Sequence, residues 1–220
     1  MLIKQLREEI VEYGRKMRNS SLVSGTWGNI SARDCKTGLI AITPTSKEYN
    51  KLTAEDITVL DESGNMIEGK YPPSSEKPMH VLIYQEKKDV FAIVHTHSKF
   101  ATAFSVALKE IPVVIVDLAM FVGSSVKIVK FKRPGTKDLG KEVVNVLKDS
   151  KTSAVLLQNH GVLTVGPSLK VAFSAAVSVE DAAEVYFRSL MLGNYTVISK
   201  EETRYLRNLI LHKGGKNETN

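Results

Sequence analysis

Short apolar runs alternate along this chain with longer amphipathic stretches, and this alternation limits the fold more than any other feature of the sequence. Apolar and small residues recur at helical spacing in residues 2–19, 98–107, 136–147 and 168–192. Shorter apolar runs bounded by Gly, Pro or polar residues are typical of strands, and they occupy residues 38–43, 56–60, 65–68, 90–94, 126–131, 154–157 and 162–165. Because tight turns join several of these strands, we expect a single α/β domain of three layers, with a mostly antiparallel central sheet covered by helices on both faces.

The size of the chain and its cysteine content define its general class. No linker-like stretch interrupts the 220 residues, so residues 1–212 are predicted to form one domain and the charged end, 213–220, a disordered tail. A domain of this size buries about 70% of its unfolded surface, so a metal ion in it would serve function rather than folding. The single cysteine, Cys35, excludes a disulfide framework and indicates a cytoplasmic protein.

The distribution of charge and hydrophobicity argues against two classes of partner. The net charge of +6 comes from dispersed Lys and Arg residues, and aromatic residues make up only 7% of the chain, which disfavours nucleic-acid binding. The longest apolar run, 111–122, contains Asp117 and is shorter than the roughly 20 residues that span a bilayer. The sequence therefore predicts a protein that binds neither nucleic acid nor membrane.

Three histidines and a glutamate form a candidate metal site. His95 and His97 are separated by one residue at the end of an apolar strand, so both imidazoles face the same side of it. His160 lies in a Gln-Asn-His-Gly turn between two strands, and Glu76 lies in the first turn of a predicted helix. Three imidazoles and one carboxylate are typical ligands of a catalytic zinc ion that exchanges one ligand for substrate.

Each of these features also has an ordinary structural interpretation. A lone His-x-His pair is weak evidence of a metal site, and His160 alone could hydrogen-bond the backbone of its own turn. Ser74 and Ser75, which precede Glu76, are suitable N-caps for the helix that follows. From spacing alone, metal ligation and ordinary turn chemistry therefore stay equally open.

Five segments, taken in chain order, match the motifs of a known family. They read TWGNISAR, ITPTSKEYNKL, PPSSEKPMHVLIY, IVHTHSKFATAFS and LLQNHGVLTVG. Together they resemble the class II aldolase/adducin family over residues 4–195, which is nearly the whole chain. The resemblance implies the fold of that family, and within the family the likeness is greatest to the aldolases that act on L-fuculose 1-phosphate.

The resemblance also implies roles for particular residues. The four candidate ligands would bind one zinc ion per subunit, a site that cobalt or manganese also suits, and Glu76 would transfer the proton. The substrate phosphate would be held by three loops containing Gly28, Asn29, Thr45, Ser46, Ser74 and Ser75. The implied reaction is the reversible aldol cleavage of a ketose 1-phosphate to dihydroxyacetone phosphate and an aldehyde such as L-lactaldehyde. The implied assembly is a homotetramer with active sites at subunit interfaces, where Trp27 and the run 111–122 would suit burial.

One departure from the resembling aldolases concerns the aldehyde end of the substrate. Those enzymes supply a tyrosine from the neighbouring subunit soon after an Ile-Pro segment, whereas residues 111–117 contain none. Asp117 and Tyr205 are the candidate replacements for this acid. An L-ribulose-5-phosphate 4-epimerase of the family uses an aspartate from this segment, so epimerisation is an alternative, as are the decarboxylations and dehydrations of other relatives. A non-enzymatic adducin-like interaction module is a further alternative, although such proteins typically lack the metal histidines.

Overall fold

The computed structural model describes residues 1–150 and 152–213 of the chain. Within them, the helices are α1 (Lys4–Asn19), α2 (Lys77–Glu86), α3 (Lys99–Val106), α4 (Val116–Phe121), α5 (Lys137–Ser150), α6 (Leu169–Met191) and α7 (Lys200–Lys213). The strands are β1 (Asn29–Arg33), β2 (Ile40–Ile42), β3 (Thr58–Leu60), β4 (Met66–Glu68), β5 (Ala92–Thr96), β6 (Lys127–Val129), β7 (Ala154–Leu157) and β8 (Gly161–Gly166). Two short 3-10 turns, Tyr49–Lys51 and Ala54–Asp56, connect β2 to β3.

The described strands form one eight-stranded sheet in the order β4-β3-β2-β1-β5-β8-β7-β6. Every described pair of strands is antiparallel except β6 and β7, which run parallel. The sheet therefore confirms the predicted, mostly antiparallel arrangement. In its middle, β5 pairs with β1 on one side and with β8 on the other, so His95 lies opposite Asn29 and Leu163.

Helices cover both faces of the sheet, as the sequence predicts. On one face, α2 and α5 pack together over residues such as Ile40, Ile93 and Leu157. On the other face, α1 and α6 cover Ile30 and Val94, and α3 and α4 continue this layer. The small and apolar residues that recur at helical spacing in 168–192 are buried on α6: Ala172, Ala175, Ala176, Val179, Ala182 and Ala183. The resulting three layers place the ends of β5, β7 and α2 near one another.

The start of α2 differs from the sequence prediction. Glu76 is the N-cap residue of α2, so the prediction that Ser74 or Ser75 caps this helix, with Glu76 in its first turn, is wrong. The N–H group of Ser74 donates to the carbonyl oxygen of Thr43 at 3.0 Å, which keeps this segment extended along the sheet. The Ser74 hydroxyl instead accepts the N–H of Glu76 at 3.2 Å. Helix α2 begins one residue before Pro78, a position that tolerates the missing N–H group of proline.

Helix α4 and the end of the chain differ from the sequence prediction or lie partly beyond the described residues. The short helix α4 lies within the apolar run 111–122, where the sequence predicted no element. The predicted disordered tail, 213–220, lies outside the described residues apart from Lys213, the last residue of α7. Among the described helices, none combines the length and apolar character that crossing a membrane requires.

Candidate metal centre

The fold brings the four candidate ligands together from three separate parts of the chain. Glu76 begins α2, His95 lies on β5 with His97 just beyond it, and His160 lies in the turn between β7 and β8. One ligand atom from each residue lies within 4.8 Å of the other three. We call these four residues the His3Glu cluster, and it can hold a metal ion.

The distances within the His3Glu cluster show that the ligand atoms face a common point. The Nε2 atom of His95 lies 3.1 Å from Oε2 of Glu76 and 3.1 Å from Nε2 of His97. The Nε2 atom of His160 lies 3.5 Å from Oε1 of Glu76. The three imidazole rings meet edge to face, with centroids 4.7 to 5.0 Å apart. Three ring nitrogens and a carboxylate arranged in this way can hold a divalent metal ion.

Two ligands are oriented by hydrogen bonds from neighbouring strands. The Nδ1 atom of His95 lies 2.8 Å from the carbonyl oxygen of Val162 on β8, and by donating to it His95 keeps Nε2 free as a ligand atom. The side-chain amide of Asn29 donates to Oε2 of Glu76 at 2.9 Å. Asn29, which the sequence predicted as a phosphate contact, therefore orients the glutamate in this structure.

Burial and mutual charge set the protonation of the cluster. Burial lowers the pKa of His97 to about 3 and that of His160 to about 4, so both are neutral, which is the form that binds metal. Burial also favours a neutral Glu76, but the charge of His95, its hydrogen bond, a smaller electrostatic contribution from His160 and the hydrogen bond from Asn29 outweigh burial and lower the pKa of Glu76. Burial opposes the charge on His95, yet the adjacent Glu76 carboxylate raises its pKa.

A buried carboxylate oxygen of Glu76 indicates that the cluster suits a bound ion. Oε1 of Glu76 and Nδ1 of His160 are buried and have no hydrogen-bond partner among the described residues. A buried carboxylate oxygen without a partner is costly, and a divalent cation facing it would satisfy it. The ligand set and this unpaired oxygen together fit a resident metal ion.

Two glycines allow the backbone to approach the cluster closely. Gly28 has a φ of +74°, and a Cβ atom there would lie 2.5 Å from the carbonyl oxygen of His95. A Cβ atom on Gly161 would lie 2.2 Å from the carbonyl oxygen of Thr96. Glycine is therefore needed at both positions for β1 and β8 to lie against the end of β5.

The three predicted phosphate loops also converge beside Glu76. The N–H group of Thr45 donates to the carbonyl oxygen of Pro72 at 3.1 Å, so the loop that contains Thr45 and Ser46 lies against the segment that leads to Ser74 and Ser75. Ser46 has a φ of +56°, and Thr45, Ser46 and Ser75 are exposed while Ser74 is buried. Polar groups from three turns are thus available at one edge of the cluster.

The two candidate acids for the aldehyde end lie on α4 and α7, whereas the His3Glu ligands lie at α2, β5 and the turn between β7 and β8. Asp117 is exposed in the first turn of α4, and its charge raises the pKa of Asp181 on α6, for which burial is the larger cause. Tyr205 is 62% exposed on α7, which packs against α4. Among the described residues, Asp117 does not belong to the group of side chains that could hold a metal ion.

Sequence reasoning missed one side chain at this site. The indole of Trp27 stacks on the imidazole of His97, with centroids 5.7 Å apart and ring planes 26° from parallel. Trp27 was expected to suit a subunit interface, and no spacing rule connects it to a histidine 70 positions later. Only the pairing of β1 with β5 brings the two rings together.

Comparison with known proteins identifies the family. Residues 8–187 match the model of the class II aldolase and adducin N-terminal domain. The chain belongs to the class II aldolase and adducin family. Its fold and its four converging ligands agree with this membership, and so does the resemblance recognised from its motifs.

Relatives that match nearly the whole chain are named as aldolases. A 5-deoxy-D-ribulose 1-phosphate aldolase of Bacillus thuringiensis serovar kurstaki is 37% identical over 206 residues, which cover 94% of this chain and 95% of that protein. An L-fuculose phosphate aldolase of Escherichia coli K12 is 35% identical and covers 90% of each chain. A solved structure of an L-fuculose 1-phosphate aldolase superposes with a TM-score of 0.88 at 32% identity, over 94% of this chain and 96% of that one. This class II aldolase is therefore a metal-dependent carbon–carbon lyase, which confirms the predicted enzyme class over the adducin-like alternative.

Proposed function

We propose that the enzyme catalyses the reversible aldol cleavage of a ketose 1-phosphate to dihydroxyacetone phosphate and a short aldehyde, with zinc as its metal. One observation carries the proposal: the Glu76 carboxylate lies inside a three-histidine cluster and directly beside the converging loops suited to a phosphate. A metal ligand set, a proton-transfer group and an anion site therefore adjoin one another, as cleavage of a phosphorylated ketose requires.

The three histidines and Glu76 would hold the ion. Imidazole and carboxylate ligands in this number suit zinc better than magnesium or calcium, which prefer oxygen ligands. When bound, zinc would supply Lewis acidity to the carbonyl group next to the bond that breaks. The chain itself contributes the imidazoles, and that of His95 is held in place before the metal arrives because the carbonyl oxygen of Val162 orients it.

The phosphate end of the substrate would lie in the three loops beside Glu76. We assign phosphate contacts to the residues named from the family resemblance, which are Gly28, Asn29, Thr45, Ser46, Ser74 and Ser75. The exposed hydroxyls of Thr45, Ser46 and Ser75 are free to donate to phosphate oxygens. Backbone N–H groups in turns, such as that formed by Ser46 in the left-handed region, add further donors. Fixing the phosphate fixes the three-carbon half of the substrate before any bond breaks.

Glu76 would transfer the proton on the three-carbon half. When the bond between C3 and C4 breaks, the C4 hydroxyl gives its proton to the acid/base group at the aldehyde end and becomes the aldehyde, and the bonding electrons remain on the three-carbon fragment as an enediolate. Protonation of this fragment at C3 then yields dihydroxyacetone phosphate. Asn29 holds Oε2 of Glu76, while Oε1 has no partner among the described residues. A carboxylate fixed at one oxygen and free at the other is suited to take the C3 proton of dihydroxyacetone phosphate in the aldol direction, and its protonated form to return that proton to C3 in cleavage.

The comparisons favour ketose 1-phosphates that end in a methyl group. The relatives are named for 5-deoxy-D-ribulose 1-phosphate and for L-fuculose phosphate. Cleavage between C3 and C4 gives dihydroxyacetone phosphate in both cases and differs only in the aldehyde, which is acetaldehyde or L-lactaldehyde. The two substrates share the half that carries the phosphate and would bind the metal. The described residues form the part of the site for that half, so we assign the enzyme to this substrate class.

We further propose that the enzyme is a homotetramer whose interfaces complete the aldehyde end of the site. The side chains of Phe187, Met191 and Leu192 near the end of α6 are exposed, as is Trp27 beside the cluster. In contrast, much of the run 111–122 packs within the chain's own core, so it contributes less to an interface than the sequence suggested. Sedimentation equilibrium of the metal-loaded protein would test the tetramer, and a monomer would contradict it.

The reaction is tested by incubating the zinc-loaded protein with 5-deoxy-D-ribulose 1-phosphate, L-fuculose 1-phosphate and L-ribulose 5-phosphate. Dihydroxyacetone phosphate is followed through coupled oxidation of NADH, with Glu76→Gln as the control. Its release from either ketose 1-phosphate, lost in the variant, would support the proposal, and the ratio of kcat/KM values would identify the preferred aldehyde. Conversion of L-ribulose 5-phosphate to its 4-epimer without release of dihydroxyacetone phosphate would refute it.

A further inference from the structure

The ligands of the His3Glu cluster are held in place in different ways. A backbone carbonyl orients His95, and Asn29 orients Glu76. For His97, the described hydrogen bonds include only the one between its Nε2 atom and Nε2 of His95, and both atoms face the centre of the cluster. Within the described part of the chain, His97 therefore lacks the carbonyl or carboxylate partner that usually orients a metal-bound histidine through its second nitrogen.

Two surfaces enclose the His97 ring instead. The indole of Trp27 covers one side, nearly parallel to the imidazole at 26°, with centroids 5.7 Å apart. The start of β8 lies close by, since a Cβ atom on Gly161 would be 3.3 Å from Cδ2 of His97. Rotation of the His97 ring is thus limited by an aromatic face and by backbone rather than by a hydrogen bond.

Hydrogen bonds fix the backbone of Trp27, although its side chain is largely exposed. Its N–H group donates to the carbonyl oxygen of Ser24 at 3.2 Å, and its carbonyl oxygen accepts the hydroxyl of Tyr49 at 3.3 Å. Tyr49 is buried, and Gly28 follows in the left-handed region with no room for a Cβ atom. The indole itself is 64% exposed, so it contributes little to the core of the chain. A rigid loop therefore presents an exposed indole to a metal ligand.

We propose that Trp27 is a positioning residue for His97, whose stacking takes the place of the hydrogen bonds that orient His95 and Glu76. The inference rests on the zinc site proposed above. Without the indole, the His97 ring gains rotational freedom, and metal binding must then order it. Loss of the indole should therefore weaken the metal site while leaving the fold intact.

Zinc affinity, measured by competition with a chromogenic chelator, tests this role in four proteins: the wild type, Trp27→Ala, Trp27→Phe and Phe131→Ala. The last variant is the matched control, because Phe131 is also an exposed aromatic residue, at 57%, and has no ring contact with the cluster among the described residues. Trp27→Ala should bind zinc about 10- to 100-fold more weakly, the usual loss when a partner of a metal ligand is removed. Trp27→Phe retains an aromatic face and should lose much less, and Phe131→Ala should match the wild type.

Intrinsic fluorescence gives a second measurement that does not depend on activity. Trp27 is the only tryptophan of the chain. Zinc should therefore change the emission of the wild type with the same midpoint as the chelator competition, even if Trp27→Ala fails to fold. Zinc affinity within twofold of wild type in Trp27→Ala would overturn the inference. Equal losses of zinc affinity in Trp27→Ala and Trp27→Phe would also overturn it, and so would wild-type emission that does not change when zinc binds. Release of dihydroxyacetone phosphate by the wild type tests the proposed reaction separately.

Discussion

Gly161→Ala is the substitution whose effect the structure specifies best. Gly161 begins β8 directly after the ligand His160. A Cβ atom there would lie 2.2 Å from the carbonyl oxygen of Thr96, where ordinary contacts begin at 3.4 Å. The obstacle is backbone, so it has no flexible end that can move aside. The ends of β5 and β8 must therefore separate by roughly 1 Å, which displaces His160 relative to His95.

The size of the expected effect follows from this displacement. Overpacking of this kind costs about 1–3 kcal/mol of unfolding free energy. A misplacement of about 1 Å in a catalytic constellation lowers the rate about 100-fold. Gly161→Ala should therefore lower the unfolding free energy by about 1–3 kcal/mol and kcat/KM by about 100-fold, together with a loss of zinc affinity.

Gly166 provides a matched control at the other end of the same strand. A Cβ atom there would lie 2.8 Å from the backbone nitrogen of Ala172, a similar clash but one remote from the cluster. Gly166→Ala should lose comparable stability in urea unfolding while keeping zinc affinity and kcat/KM close to wild type. Equal losses of activity in the two variants, or wild-type kinetics in Gly161→Ala, would refute the reasoning.

Three further predictions concern protonation and the metal. Glu76→Gln should lower kcat by about 100- to 10,000-fold while the protein still binds zinc, and steady-state kinetics that match wild type would exclude Glu76 as the proton-transfer group. Removing the metal with a chelator should lower the Tm, because an ion at 1,000 times its Kd stabilises the folded state by about 4.1 kcal/mol; an unchanged thermal scan would contradict the metal site. Burial lowers the pKa of His80 to about 3, so below pH 6.5 the unfolded state takes up the proton first. Protonation of His80 in the unfolded state should thus lower the unfolding free energy by up to about 1.4 kcal/mol per pH unit as the pH falls from 6.5 to 3. In urea unfolding, His80→Gln should show a shallower dependence of the unfolding free energy on pH. An identical pH dependence in the two proteins would exclude His80 as the source.

Local patterns predicted most of the fold. The helical spacing of 2–19 and 168–192 corresponds to α1 and α6, and the hairpin of β3 and β4 follows from its turn. Helix α4 was missed because nearly every residue of the run 111–122 is apolar, so no periodicity marks it. The parallel pairing of β6 with β7 depends on contacts between distant segments, which spacing does not encode.

The candidate site was predictable only in its local parts. His95 and His97 share a strand end, so their convergence follows from strand geometry. The contact of Asn29 with Glu76 depends on the pairing of Asn29 with His95 across β1 and β5. The stack of Trp27 on His97 depends on the same register. A cytoplasmic location and the role of the aldehyde-end acid stay predictions.

The position of β5 between β1 and β8 has a kinetic consequence. Pairing these strands joins residue 29 to residue 95 and residue 95 to residue 163, so long chain loops must close before the ligands meet. Such long-range closure makes folding slow, and the ion finds its complete ligand set only late in the process. Interactions absent from the transition state slow unfolding rather than hasten folding. The metal should therefore lengthen the lifetime of the native protein by slowing its unfolding, without changing its folding rate. In a cell, depletion of the metal would then appear as faster degradation.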